Sequence, residues 1–364
     1  MYIEPKPEIN NGHVGRKFMN RSKKSKKMAA SEEALKSLQD LLVQSISSDN
    51  TLRKQSEQYI ATIESQSGFL ITLLQLINRL STSTLPSDYA IRQSGAVLFK
   101  NVIKKRWVPD EDSQDSPIVY TDRDMIKTHL IDVMCSASSD VQKQLAEAVS
   151  LIAKYEFPMN WSNLLPQLVN KLGNTNDINI KKGVMITVNS ITKRYRYTYK
   201  SDTLFAEIKE CLIGFQVPLL ETYKSNLQYI DTLTTTTSTA GTSGATKDNN
   251  IQLLIIAIET QRLMTRIFFS LNWQDLPEYF EDHISEWMSA FAHFLSYKNP
   301  TLAGSRTQGP TQTRDTESET EPGPIESLQT AIIENLNLYA TKYEEEFMPY
   351  LAPFTQVYIS VLIV

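Results

Sequence analysis

Cysteine and glycine are both scarce in this chain of 364 residues, which holds two cysteines, Cys135 and Cys211, and 12 glycines. Two thiols so far apart exclude a disulfide scaffold and fit a reducing compartment. So few glycines exclude a collagen-like or glycine-rich phosphate-binding chain. Period-two alternation of apolar and polar residues, the mark of a half-buried strand, is almost absent. The longest apolar stretches, Phe69–Leu80 and Val357–Val364, fall short of the ~20 residues a membrane-spanning helix needs, so no membrane insertion is expected. The basic N-terminus lacks the apolar core of a secretory signal. The patterns GxxxxGK[ST], HExxH, CxxC and GxSxG are missing. None of His13, His129, His283 and His293 lies one helical turn from another. The expectation is a protein that is not an enzyme and holds neither cofactor nor metal.

Apolar residues make up 41% and charged residues 21%, enough for a packed protein rather than a disordered one. By length the chain is two ordinary domains or one elongated array. Residues 1–27 carry eight Lys and Arg against Glu4 and Glu8, a net +6; the whole chain is −4, so the rest carries −10. An acidic body argues against a general nucleic-acid binder. The stretch RSKKSKK at 21–27 has the look of a nuclear-localisation patch, but a solvated, disordered tail over residues 1–30 is the simpler reading. Met28 is a plausible start in its own right.

From Ser31 onward the spacing predicts helix after helix. Ala34, Leu35, Leu38, Leu41 and Leu42 share one face, with Ser31 suited to cap it. Further helices are expected at Thr51–Glu64, Phe69–Leu80, Pro86 to about Trp107, Asp122–Ser136, Ser139–Glu156, Trp161–Leu172, Asn179–Arg194, Asp202–Tyr223, Ile251–Leu271, Leu276–Tyr297 and Ile325–Phe347, with a last one from near Tyr350. Ser139 and Gln142 have capping-box spacing, and Asn160 is placed to cap the helix after Phe157-Pro158. The segments 231–250 and 301–324 are rich in Thr, Ser, Gly or Pro and should be mobile loops. The spacing of roughly 40–50 residues per helix pair is that of HEAT-type repeats. One such unit cannot bury its apolar face alone and must stack on its neighbours. The fold expected is therefore all-α: a HEAT-repeat (armadillo-like) right-handed solenoid of about six to seven pairs by this spacing. It reads as cut short inside the apolar segment 357–364.

Two basic, aromatic stretches stand out: KNVIKKRW (Lys100–Trp107) and KRYRYTYK (Lys193–Lys200). Aromatics between cations can stack bases, but cations at a helix end also complement its dipole, and no nucleic acid is expected as a partner. Asp275, Glu278, Glu281, Asp282 and Glu286 form a carboxylate cluster, read as a solvated acidic face rather than as a metal or acid–base site.

The stretch SGAVLFKNVIKKRW (Ser94–Trp107) resembles the N-terminal signature of the importin-β superfamily. KQLAEAVSLIAKYEFPMNWSNLLPQLVNKL (Lys143–Leu172) is similar to the repeats that follow it there. FFSLNWQDLPEYFEDHISEWMSAFAHFLSY (Phe268–Tyr297) and LYATKYEEEFMPYL (Leu338–Leu351) look like the CAS-type exportins. That resemblance implies Ran-binding repeats over 31–173, CAS-like repeats over 174–364 and a nuclear export receptor for importin-α. It also implies shuttling between nucleus and cytoplasm, with Ran-GTP, importin-α and nuclear pore proteins as partners. It implies Ran docking on the second helices of the first repeats, at Gln93, Lys100, Asn101, Lys104, Trp107, Lys143, Glu147 and Lys154. For Lys100 and Lys104 the competing reading is an ordinary solvated helix face, and for Trp107 it is a cover for the repeat seam. The rival functions are an importin-β-like import receptor and a HEAT scaffold indifferent to Ran.

Overall fold

The computed structural model describes residues 30–238, 244–299, 302 and 322–362. The basic tail, most of the segment 301–324, and the last residues together with the side chains of 357–364 lie outside that set. Among the described residues there are fourteen α-helices and no strand.

The helices are α1 (Glu32–Ser45), α2 (Asn50–Ile63), α3 (Phe69–Arg79), α4 (Pro86–Arg106), α5 (Tyr120–Ser136), α6 (Ser139–Glu156) and α7 (Leu164–Gly173). They continue with α8 (Ile178–Thr192), α9 (Asp202–Ser238), α10 (Gly244–Asn272), α11 (Glu278–Asp282), α12 (Ile284–Leu295), α13 (Pro324–Lys342) and α14 (Glu344–Leu362). A 3-10 turn, Lys193–Arg196, follows α8. Ser31 caps α1 through an acceptor bond from the Ala34 amide at 3.1 Å, and Asp49 does the same for α2 from Thr51 at 2.8 Å. Gly68, at φ +84°, turns the chain into α3, a left-handed conformation that favours glycine.

Packing follows the two-layer logic of stacked repeats. α4, α6, α8, α10 and α13 lie side by side as one row. α3 packs on α5 and α7 on α9 in the other layer, and each row-two helix leans on an outer partner. The architecture is the HEAT-repeat solenoid that the spacing predicts.

Several boundaries differ from the expectations, each for a local reason. Ser138, not Ser139, precedes α6, and no side chain caps it. Gln142 is buried and donates instead to the carbonyls of Cys135 at 3.4 Å and Asn179 at 3.1 Å, so the capping box is not formed. Trp161 is buried ahead of α7, which starts only at Leu164. The Asn160 carbonyl accepts from Lys127 at 3.1 Å, and Asn160 caps nothing. The Thr-rich segment is helical rather than a loop through Ser238 and again from Gly244. There Thr235 and Thr237 return their hydroxyls to the carbonyls four residues back, at 2.9 Å each, while Leu233 is buried. The predicted helix at 276–297 breaks at His283, whose ring stacks on Tyr279 at 4.1 Å.

The most aromatic part of the core joins five helices. Phe268 stacks on Trp287 at 4.1 Å and meets Phe280 edge-on at 4.9 Å. Tyr223 lies 4.5 Å from Trp287, and Tyr339 closes the group from α13. Trp287 is completely buried. Trp287→Ala should therefore cost about 3–5 kcal/mol in urea unfolding, near the upper end for a core truncation. A loss below about 1 kcal/mol would show that the cluster does not hold these helices together.

Candidate functional site

The stripe expected on α4 begins one turn earlier than the sequence reading placed it. Tyr89, in the first turn, donates its hydroxyl to Asp140 Oδ2 of α6 at 2.5 Å. Gln93, Asn101 and Lys104 are exposed and Lys100 is half-buried further along. On α6 the corresponding stripe is Asp140, Lys143, Glu147 and Lys154. Since α4 and α6 are neighbours and both stripes run from their first turns, the structure brings these residues together on one polar face.

The residues on that face differ in how firmly they are held. Lys143 is 3.5 Å from Asp140, and Glu147 takes Lys193 at 3.0 Å. The Tyr89 hydroxyl, with some help from Lys143, keeps Asp140 below the ordinary carboxylate range, and the same bond raises Tyr89. Lys100, Lys104 and Lys154 make no ion pair among the described residues. Lys154 lies 5.1 Å over the Tyr155 ring.

Trp107 does not belong to this face. It is 1% exposed, donates its Nε1 to Glu156 at 3.1 Å and lies under the Arg123 guanidinium at 5.0 Å. Lys127 holds the other Glu156 oxygen at 3.3 Å, so this tryptophan fastens the end of α4 to α5 and α6. Burial removes it from contact with any partner.

The basic stretches resolve in the same way. Lys105 is pinned between Glu64 and Asp115, both at 3.1 Å, and Arg106 is buried with its guanidinium on the Ser116 carbonyl. In the second stretch Arg194 pairs with Glu207, and buried Tyr195 donates to Glu207 at 2.9 Å. Tyr197, Thr198, Tyr199 and Lys200 are exposed there, and Lys193, Arg194 and Arg196 partly so. Glu286 of the carboxylate cluster pairs with Lys224, and among the described residues no group of His, Cys, Asp and Glu is placed to hold a metal ion. Burial pushes both thiols, Cys135 and Cys211, up to about 12, so neither is a nucleophile at neutral pH.

Reasoning from sequence missed Tyr89, Asp140 and, further along the row, the pair Lys182–Glu259 between α8 and α10. Tyr89 and Asp140 were within reach: they stand four residues before Gln93 and three before Lys143, on the same helical faces.

Among the described residues, helices stacked in two layers define a transport-receptor-like HEAT solenoid only together with the likenesses that follow. Residues 56–136 match the importin-beta N-terminal domain, and residues 191–363 match the Cse1 family. Exportin-2 of Xenopus laevis is 33% identical over 336 residues, 92% of this chain and 31% of that protein. Exportin-2 of Drosophila melanogaster is 35% identical over 328 residues, 90% and 30% of the two chains, and that of Homo sapiens 32% over 336 residues, 92% and 31%. Among solved structures, the exportin Cse1 in its cargo-free, cytoplasmic state matches with a TM-score of 0.72 and 31% identity, over 89% of this chain and 31% of that one. Lph2, a bidirectional nuclear transport receptor of S. cerevisiae, matches at a TM-score of 0.57 and 19% identity, a likeness of fold alone. The chain belongs to the CAS-type exportins of the importin-β superfamily. It spans about 31% of the length of the vertebrate exportin-2 proteins it matches.

The Tyr89–Asp140 bond has a testable pH signature. Asp140 is held lower in the folded chain than in the unfolded one, so its contribution is present above the unfolded value, about 4, and is lost as pH falls through the folded one. Tyr89→Phe should cost about 1 kcal/mol at pH 7, a charge-assisted bond discounted for solvent, and nothing once Asp140 is protonated. Urea unfolding at the two pH values measures the difference; a gap that persists in acid contradicts the assignment.

Proposed function

We propose that this chain binds Ran in its GTP form on the α4–α6 face and, with importin-α, takes part in carrying importin-α from nucleus to cytoplasm. The observation that carries the reading is one alignment to exportin-2 that runs through 92% of the chain, and so through both this face and the CAS-like repeats. The unpaired cations Lys100, Lys104 and Lys154, with Gln93 and Asn101 beside them, support a contact with an acidic or polar partner surface. Lys143 and Glu147, already paired within the chain, would set the register of that contact.

The chain carries out no bond chemistry in this reading. Ran reports its nucleotide through switch loops ordered around the γ-phosphate. If Ran-GTP and importin-α favour the same curvature of the array, each raises the affinity for the other by the same factor. A solenoid whose repeats touch only their neighbours has curvature soft enough for this. Residues 31–173 would supply the Ran contact and 174–364 part of the cargo contact, with the chain shuttling through the nuclear pore.

The double change Lys100→Glu and Lys104→Glu should weaken binding of Ran-GTP about tenfold, mostly through slower association, because it reverses charge at an interface. The melting temperature should not move, since neither lysine is paired. Unchanged affinity in a titration would remove both residues from the interface.

A further inference from the structure

We propose that the groove between the Lys193–Arg196 turn, the C-terminal part of α10 and α13 binds an acidic peptide segment of a partner protein, its apolar side chain on the floor and its carboxylates on the rim. The groove lies further along the same helix row as the α4–α6 face and shares no residue with it.

The floor is apolar: Phe269 of α10 and Trp273 just after it, 5.4 Å apart, and Leu338 of α13. Trp273 is 38% exposed although its neighbours are core residues, and the volume enclosed is about 770 Å³. That holds a few side chains, not a folded domain. The rim is cationic. Arg196, Lys200 and Lys342 line the groove, and Arg262 and Arg266 continue the Phe269 stripe along α10 at helical spacing.

These cations outnumber the acids near them: Glu334 acts on Arg196 and Arg262 and Asp275 on Lys342, without forming an ion pair. Among the described residues none of the five makes an ion pair, and the guanidiniums of Arg196, Arg262 and Arg266 donate no hydrogen bond at all. Arg196 leans on the Phe269 ring at 5.3 Å with its Nε buried and unpartnered. Lys200 and Lys342 both donate to one carbonyl, that of Gln274, at 3.3 and 2.9 Å. Three other cations withdrawn from solvent are matched by carboxylates: Arg194 by Glu207, Lys182 by Glu259, Arg123 by Glu156. Burial, together with the crowding of like charges, outweighs the attraction of Glu334 and Asp275 and disfavours the charged forms of Arg196, Arg262 and Lys342. An incoming carboxylate relieves the repulsion and forms charge-assisted bonds, the usual chemistry of arginine clusters that read acidic motifs.

A peptide fits better than a nucleic-acid strand. Glu334 in the groove and Asp275 beside Lys342 interrupt the cations, which disfavours a polyanion charged at every unit more than a peptide whose acids are spaced. Phe269 and Trp273 are tilted 48° onto each other rather than laid open as stacking platforms.

The test is fluorescence anisotropy of the full chain with a labelled peptide of Asp and Glu around a central Leu-Phe pair. The controls are the same peptide with Asn and Gln in place of the acids, and a labelled oligothymidylate. Binding of the acidic peptide, weakening as salt rises, is expected. Lys200→Glu with Arg266→Glu should weaken it about tenfold. Glu334→Gln should tighten it, an arm that survives if the double variant does not fold. Lys100→Glu with Lys104→Glu should leave it unchanged, which separates this groove from the Ran face. Equal binding of the neutral peptide, preference for oligothymidylate, or indifference to both groove variants would overturn the proposal.

Discussion

The stacking of one second-row helix on the next is the contact from which the rest of the molecule follows. No helix here is stable by its own sequence; each buries an apolar face only because another helix covers it. The seam is closed by small and branched residues with no exposure, such as Ala96, Ala146, Val184 and Ala257. Its tightness shows at Gly183: a Cβ there would meet Gln142 Nε2 at 2.8 Å, the nitrogen that bridges α6 to α5 and α8. Each step along the row also carries a polar tie. Tyr89 reaches Asp140, Ser150 donates to the Ser190 carbonyl at 2.7 Å, Lys182 meets Glu259, and Asn335 donates to the Thr265 carbonyl at 3.2 Å. An apolar seam alone would tolerate sliding; these ties fix the register of neighbouring helices.

Once register is fixed, the polar stripes of successive helices fall side by side, and a surface appears that no single helix contains. Charged residues in and around this row are of two kinds. Arg106, Arg123, Arg194 and Lys105 are satisfied within the chain and hold helix ends together. Lys100, Lys104 and Lys154 on the first repeats, and the Arg196–Lys342 group on the later ones, form no ion pair among the described residues, in a chain whose net charge is negative. In the reading proposed above, that second kind supplies the contacts, at two separate places on one row.

Much of the fold is legible in the sequence because helical periodicity and cap residues are local signals. Ser31, Pro86 and the apolar run from Phe69 act where they stand. What escapes is decided by distant contacts. Gln142 reads as a cap partner but is drawn to the Asn179 carbonyl, and Trp107, which reads either as an interface aromatic or as a cover for the repeat seam, is held in the seam by Glu156 and Arg123. The threonines after Asp231 read as a loop, yet their hydroxyls close on the preceding turn of a helix. For the site, helical spacing finds the stripes on α4 and α6, while which lysines are free depends on Glu64, Asp115 and Asp140, residues whose proximity no spacing reveals.

The central claim is that this face distinguishes the nucleotide state of a small GTPase. Calorimetric titration of the chain with Ran loaded either with GDP or with a non-hydrolysable GTP analogue tests it most directly. Saturable heat with the triphosphate form alone is the result expected. Equal binding of both forms, or of neither, would contradict it.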